Sequence, residues 1–102
     1  MTNYEIIRRE AIDNGIYSEE EVERFEMQML DLPLHTFAFW KKHGYYVKSG
    51  EKAVIRTRLW KLKNTKKKDE IPDDVDPIAD PSHFFLASAY LFDISQVARG
   101  GV

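Results

Sequence analysis

The chain has 102 residues, enough for one domain with one modest core, and it contains no cysteine. Disulfides, thiolate zinc sites and a cysteine nucleophile are therefore excluded. Hydrophobic residues make up 43% and charged residues 31%, a composition typical of globular proteins. The start of the chain lacks the apolar stretch of a secretory signal, and the least polar run, residues 84–92, is far too short to span a membrane. We therefore expect a cytoplasmic protein with no membrane partner.

The net charge of −2 hides three blocks of opposite sign. Residues 1–31 carry a net charge of −6, residues 41–68 a net charge of +10, and residues 69–80 a net charge of −6. A positive excess this concentrated in an acidic chain indicates a polyanionic partner such as nucleic acid.

Two helices are predicted near the N-terminus. In residues 3–14, Tyr4, Ile7 and Ala11 fall on one face at helical spacing, and Gly15 can end the helix in the left-handed conformation.

A second helix is predicted for residues 19–31. Ser18 and Glu21 have the spacing of a capping box, in which each side chain accepts a hydrogen bond from a backbone N–H. Its expected buried stripe consists of Val22, Phe25 and Met29.

The middle of the chain predicts a short helix followed by a turn. Thr36 is placed to cap a helix over residues 37–43. Gly50 suits a tight turn that presents Lys48 and Lys52.

Two strands are predicted, over residues 53–62 and 83–93. Alternation along the first strand places Arg56, Arg58 and Trp60 on one face. The second strand is apolar on both faces, which indicates a central position in the sheet.

The segment between the two strands, residues 63–82, is rich in Lys, Asp and Pro and predicts a mobile loop. It contains the lysine run 66–68 and the acidic stretch 69–80. Both fit a solvated loop, although the acidic stretch could also fold over the basic segment and compete with nucleic acid.

These elements predict an α+β fold in which N-terminal helices pack on a small antiparallel sheet. One domain covers residues 1–102, with an acidic helical part at residues 1–31 and a basic, aromatic part at residues 35–97. Residues 45–48 are a candidate edge strand, and residues 98–102 are expected to fray.

Cations and aromatic residues are interleaved from Trp40 onward. Single-stranded nucleic acid needs both, because cations bind its phosphates and flat rings stack on its bases. The alternative is that Trp40 and Trp60 belong to the core and that the lysines form a solvated face. The predicted nucleic-acid-binding residues are Lys41, Lys42, Tyr45, Tyr46, Lys48, Lys52, Arg56, Arg58, Trp60, Lys61 and Lys63.

Catalytic and metal-binding patterns are weak in this sequence. The turn at residues 48–52 does not match a phosphate-binding loop, because Glu51 interrupts the Gly-Lys pair and a strand follows. His35, His43 and His83 lack metal-ligand spacing, and no acid–base pair stands out. We expect no cofactor, no metal and no enzymatic activity.

A longer pattern runs from Trp40 through Gly44, Val47 and the turn Lys48-Ser49-Gly50-Glu51-Lys52 to the ending Phe92-Asp93-Ile94-Ser95-Gln96. With it, residues 35–97 resemble the ArdC-like N-terminal, single-stranded-DNA-binding domain of antirestriction proteins and related plasmid and phage proteins.

The resemblance implies single-stranded DNA binding at Lys48 and Lys52, and more loosely at Trp40 and Trp60, in a phage or other mobile genetic element. Ala53 stands where the family often has glycine. The metalloprotease-like domain of the long family members has no counterpart in this sequence, so no peptidase activity is implied.

Two other functions stay open at this point. A small antagonist of host defence, antirestriction or similar, would bind a host or phage protein through the acidic surfaces of the chain. A structural subunit of a larger assembly would show itself as a concentration-dependent oligomer. The pattern of residues does not distinguish DNA from RNA.

Overall fold

Three helices, a 3₁₀ turn and five strands form the part of the chain that the computed structural model describes, residues 1–62 and 84–100. The predicted loop 63–82, with Lys63, its lysine run and its acidic stretch, lies outside the described residues, as does His83. The helices are α1 (Asn3–Asp13), α2 (Glu19–Met27) and α3 (Phe37–Lys42). The strands are β1 (Leu34–Thr36), β2 (Tyr45–Val47), β3 (Ile55–Leu62), β4 (Phe84–Asp93) and β5 (Val97–Arg99), and the 3₁₀ turn is Ile94–Gln96.

Local capping explains where the helices begin. At α2 the Ser18 hydroxyl accepts from the Glu21 N–H (3.1 Å) and the Glu21 carboxylate accepts from the Ser18 N–H (3.0 Å), which confirms the predicted capping box. Thr2 and Glu5 form the same arrangement at α1. Thr36 accepts from the N–H of the third residue of α3, so this predicted cap is also confirmed.

The end of α2 differs from the prediction. The helix stops at Met27, and Met29 has a left-handed φ of +56°. The Met29 N–H bonds the Glu26 carbonyl (3.0 Å) and the Leu30 N–H bonds the Phe25 carbonyl (2.9 Å), which is a Schellman termination. The prediction that Met29 is buried is wrong, because its side chain is 94% exposed.

The larger sheet is antiparallel with the strand order β1-β4-β3. The predicted central position of β4 is confirmed, and β1, which the sequence did not reveal, pairs with its end through Leu34 opposite Asp93. In the long β3–β4 pairing, Ile55 lies opposite Leu91 and Leu62 lies opposite Phe84.

The core lies between one face of this sheet and the two N-terminal helices. Burying an aliphatic side chain in such a core contributes roughly 1.5–3 kcal/mol to stability. The predicted fold class, helices packed on small antiparallel sheets, is confirmed. The buried cluster consists of Ile7, Ala11, Val22, Leu32, Leu34, Ile55, Leu59, Ala89 and Leu91.

A second, two-stranded sheet joins β2 to β5, with Tyr46 opposite Ala98. The candidate strand at residues 45–48 therefore exists, but it pairs with the chain end and is not an edge of the larger sheet. The expectation that residues 98–102 fray is wrong for Ala98 and Arg99, because both lie in β5, and residues 101–102 lie outside the described residues. None of the helices among the described residues is long and apolar enough to cross a membrane.

Candidate nucleic-acid interface

The face of β3 that turns away from the core carries the predicted row of cations. Ile55 and Leu59 are 1% exposed and belong to the core, so pleating directs Arg56 and Arg58 to the opposite side, where both are exposed. The predicted grouping of Arg56, Arg58 and Trp60 on one face of the strand agrees with this alternation.

Strand β4 adds a tyrosine and a serine to the same face. Arg56 lies opposite Tyr90 and Arg58 lies opposite Ser88 in the antiparallel register. Directly opposed residues share a face and stand about 4.5–5.5 Å apart at Cβ. Tyr90 is 54% exposed. An exposed phenol ring therefore stands beside an exposed guanidinium.

An open groove of about 770 Å³ runs from this pair of strands to the start of α3. Phe37, the first residue of α3, is 54% exposed and faces the groove. Lys61, half-buried near the end of β3, also borders it. We call this surface the open face. It consists of Phe37, Lys52, Arg56, Arg58, Ser88 and Tyr90.

The cations of the open face have no acidic partner within residues 1–62 and 84–100. The ion pairs found there join Arg8 to Glu26 (3.3 Å) and Arg9 to Asp13 (3.6 Å), both within the N-terminal helices. Arg56 and Arg58 take part in neither. No carboxylate among the described residues therefore competes with an anionic ligand for them.

The turn before β3 is held by a buried polar cluster. Gly50 has φ +84°, and the Glu51 N–H bonds the Lys48 carbonyl (3.2 Å), so the predicted tight turn is confirmed. The side-chain amide of Gln96 donates to the Glu51 carboxylate (2.9 Å) and to the Lys52 carbonyl (2.6 Å). Lys52 therefore reaches the open face from a fixed backbone.

The other side of Gln96 is tied to Asp93. The Gln96 Oε1 atom accepts from the Asp93 N–H (2.9 Å), while the Asp93 carboxylate accepts from the Ser95 hydroxyl (2.7 Å) and from the Tyr17 hydroxyl. Burial, followed by the bond to Asp93, raises the pKa of Tyr17 well above its ordinary value. Asp93 and Gln96 thus connect the turn to the helical half of the protein.

Lys48 makes hydrogen bonds within this cluster and does not line the open face. Its N–H bonds the Gln96 carbonyl (2.9 Å), and its ammonium group donates to the Ser95 carbonyl (3.2 Å). Lys48 is exposed, but it is not among the residues that line the groove.

The two tryptophans play different parts. Trp40 is 5% exposed, and its indole N–H donates to the Phe92 carbonyl (3.0 Å), so it is a core residue with no ring face for a base. Trp60 is half-buried, and its indole N–H donates to the Met1 carbonyl (3.1 Å). Asn3 bonds both the N–H (2.7 Å) and the carbonyl (3.0 Å) of Trp60 and so satisfies the edge of β3.

The remaining predicted residues lie outside the groove. Lys41 and Lys42 are at the end of α3, and Tyr46, 53% exposed, is on β2. Tyr45 is half-buried with its ring edge-on to Trp40, at a centroid distance of 5.2 Å. Of these four, Lys41, Lys42 and Tyr46 are exposed, and Tyr45 packs inward.

His35 belongs to the aromatic packing under α3. Its ring stacks on Phe39 with centroids 3.7 Å apart. Burial, the dominant effect, lowers the pKa of His35 to about 4, so it is neutral at physiological pH. No cluster of three or more potential metal-ligating side chains occurs among the described residues.

Sequence reasoning missed Phe37, Ser88 and Tyr90 as site residues. Tyr90 and Ser88 lie two residues apart on one face of the second predicted strand, which was a usable signal.

Comparison of the chain with protein-family models, with curated proteins and with solved structures finds no match. The likeness to the ArdC-like family therefore stays a prediction, and the function is argued from the surface itself.

Proposed function

We propose that the chain is a non-enzymatic module that binds single-stranded DNA across the open face. The observation that supports this most strongly is the pairing of exposed Arg56 with exposed Tyr90 on adjacent strands. A cation that binds phosphate and a ring that stacks on a base are the two components that single-strand binding requires.

The division of roles follows from position. Arg56 and Arg58 lie two residues apart on β3 and would contact successive phosphates, with Lys52 at one end of the groove. Tyr90 and Phe37, both 54% exposed, would each stack on an unpaired base. The bases of a duplex are already stacked and paired, so these rings favour a single strand.

The group at the end of α3 extends this proposal. Lys41, Lys42 and Tyr46 would contact the strand where it leaves the groove, and Trp60 and Lys61 would do so near the end of β3. The protein would serve a phage or another mobile genetic element, as the resemblance to the ArdC-like family implies.

Fluorescence anisotropy of a labelled single-stranded oligonucleotide, measured across a salt series with duplex as a control, tests the proposal. We expect binding that prefers the single strand and weakens with salt by about 0.7 log units per log unit of salt for each phosphate contact. Absence of binding at low salt, or a preference for duplex, would contradict it.

Tyr90→Ala tests the stacking role in the same assay. Loss of one stacked base costs about 1–3 kcal/mol of binding free energy, so we expect affinity to fall by about fivefold or more. Because Tyr90 is 54% exposed, the unfolding temperature should hardly change. Phe85→Ala is the matched control and should have a smaller effect, because this exposed ring (42%) is placed by strand alternation on the face opposite to Tyr90.

The second candidate function, an antagonist that binds a host or phage protein, is favoured by the exposed acidic side chains of Glu19, Glu20 and Glu23 on α2. This surface lies on the helical side of the molecule, away from the open face. A stoichiometric protein partner that survives nuclease treatment and is lost in a Glu19→Lys, Glu23→Lys variant would support this function.

A further inference from the structure

An exposed apolar cluster ends α2, and nothing in the described part of its own chain covers it. The cluster consists of Met27, Met29 and Leu30, which are 84%, 94% and 51% exposed. We call it the methionine knob. The segment that carries the knob, residues 19–31, is acidic, with six carboxylates and one basic residue, Arg24.

The knob has the opposite character to the groove of the open face. The groove is lined by the rings of Phe37, Tyr90 and Phe92, and Lys52 and Arg56 stand at it. An apolar protrusion with an acidic border thus matches an apolar recess with a basic border. Such matching of shape and charge is what selects partners at protein interfaces.

We propose that the methionine knob of one copy of the chain docks into the groove of a second copy. The two surfaces are separate, because the knob ends a helix that packs on the core face of the sheet, whereas the groove opens on the other face. A chain cannot fill its own groove with Met29, which stays 94% exposed. The contact therefore joins two different surfaces of the two copies.

The backbone at the knob supports this assignment. Met29 holds a left-handed φ of +56°, a conformation that glycine adopts without strain and other residues rarely adopt. No contact of the exposed Met29 side chain within the described chain compensates for that strain. Flexible methionine side chains are common at protein-docking surfaces because they adapt to a partner.

The proposal goes beyond DNA binding and holds whether or not the groove binds nucleic acid. If both are correct, single-stranded DNA and the knob compete for one groove. Bound DNA would then dissociate the copies from one another, and a free groove would be occupied at high protein concentration.

Analytical ultracentrifugation of the full chain over a concentration series tests the contact. The wild type should show an average mass that rises with concentration, and added salt should reduce that rise. The double variant Met27→Gln, Met29→Gly removes both methionines of the knob while keeping residues suited to the helix and its end. It should stay monomeric, whereas Ile94→Ala, which changes an exposed apolar residue outside the knob, should behave as the wild type does.

A mixing experiment decides whether the knob of one copy contacts the groove of another. Arg56→Glu should abolish self-association by reversing the charge at the groove. Each variant then keeps one intact surface, so an equimolar mixture of the knob variant and Arg56→Glu should form a dimer that does not grow further. A wild type that stays monomeric, or a mixture that stays monomeric, would overturn the proposal.

DNA binding by the knob variant separates this proposal from the function proposed above. Its affinity for single-stranded DNA should equal or exceed that of the wild type, because the groove is intact and freed from competition. If the wild type associates but binds no DNA, the docking proposal stands and the DNA proposal fails. If DNA binds and no association occurs, the reverse holds.

Discussion

Met29 and Gly15 occupy the same position in two equivalent helix ends, with φ values of +56° and +69°. In both, the N–H of this residue and that of the next one bond carbonyls of the last helical turn. Glycine adopts this conformation without strain, whereas in other residues it costs roughly 1 kcal/mol or more of stability. Glycine at position 15 therefore predicts the end of α1, whereas methionine at position 29 gives no signal for the end of α2.

The exposed Met29 side chain makes its replacement informative. Met29→Gly should raise the free energy of unfolding by about 0.5–1 kcal/mol, because strain is relieved and no buried side chain is removed. Urea denaturation measures the change. Gly15→Ala is the matched control and should destabilise by a similar amount, since a Cβ there meets nothing within 4 Å and only the backbone strain acts. A Met29→Gly protein that is less stable than wild type would refute this account of the helix end.

His35 makes the stability of the fold depend on pH. Burial lowers its folded pKa to about 4, below the ordinary value of 6.5. Between these values the unfolded chain binds the proton more tightly, so stability is full above about pH 6.5 and is lost as the pH falls toward 4. Between pH 7 and pH 5 the wild type should lose about 1–2 kcal/mol more than His35→Phe, which keeps a ring against Phe39.

Chemical denaturation of both proteins at the two pH values measures this difference. Carboxylates that titrate in both proteins contribute equally to both losses of stability, so the difference between the losses reports His35. Equal losses in the wild type and His35→Phe would show that His35 is protonated as readily in the folded protein as in the unfolded chain.

At the scale of elements, the 3₁₀ turn Ile94–Gln96 holds the turn that carries Lys52. Gln96 is 6% exposed, and its amide group makes hydrogen bonds to Asp93, Glu51 and Lys52. Buried polar groups that lose their partners cost about 1–3 kcal/mol each. Glu51, Asp93 and Gln96 belong to the pattern that resembles the ArdC-like family, and in this fold they have a structural role of their own.

Gln96→Glu should lower the free energy of unfolding by about 2–4 kcal/mol, because it removes two donors and places a carboxylate beside Glu51. Glu51→Gln in the same chain restores a donor opposite the new carboxylate and should recover part of the loss. A thermodynamic cycle of the two single variants and the double variant measures the coupling. No coupling between the two positions would contradict the bond between Gln96 and Glu51.

The elements that the sequence predicted well are those fixed by local chemistry. Ser18 with Glu21, and Thr36 alone, bond to backbone groups a few residues away, so short patterns predict the starts of α2 and α3. Strands β1 and β5 have three residues each, and they form because they pair with strands that are distant in the sequence, β4 and β2. No local pattern distinguishes such segments from loops.

The site could be predicted only in part for a related reason. Alternation along β3 correctly grouped Arg56 with Arg58, since pleating is a local property. Whether Trp40 or Tyr90 is exposed depends on where α3 packs, which alternation does not determine. Helix α3 turns its own Trp40 inward, against His35 and the Phe92 carbonyl, and leaves Tyr90 open.

At the scale of the whole molecule, the described residues carry opposite charge on the two sides of the three-stranded sheet. The described part of the acidic block, in α1 and α2, packs on the core side of the three-stranded sheet, and Arg56 and Arg58 project from the other side. An overall charge of −2 therefore coexists with a surface suited to a polyanion. The sheet separates the two so that neither neutralises the other.

The central claim is that nucleic acid binds at the open face and not at another basic surface. The most direct test is the affinity of Arg56→Ala, Arg58→Ala for a labelled single-stranded oligonucleotide across a salt series, with Arg9→Ala on the helical side as the control. The account predicts weaker binding for the double variant, with a salt slope smaller by about 1.4, or about 0.7 for each phosphate that is no longer bound, and no change for Arg9→Ala. Unchanged affinity and slope in the double variant, or an equal weakening in Arg9→Ala, would contradict it.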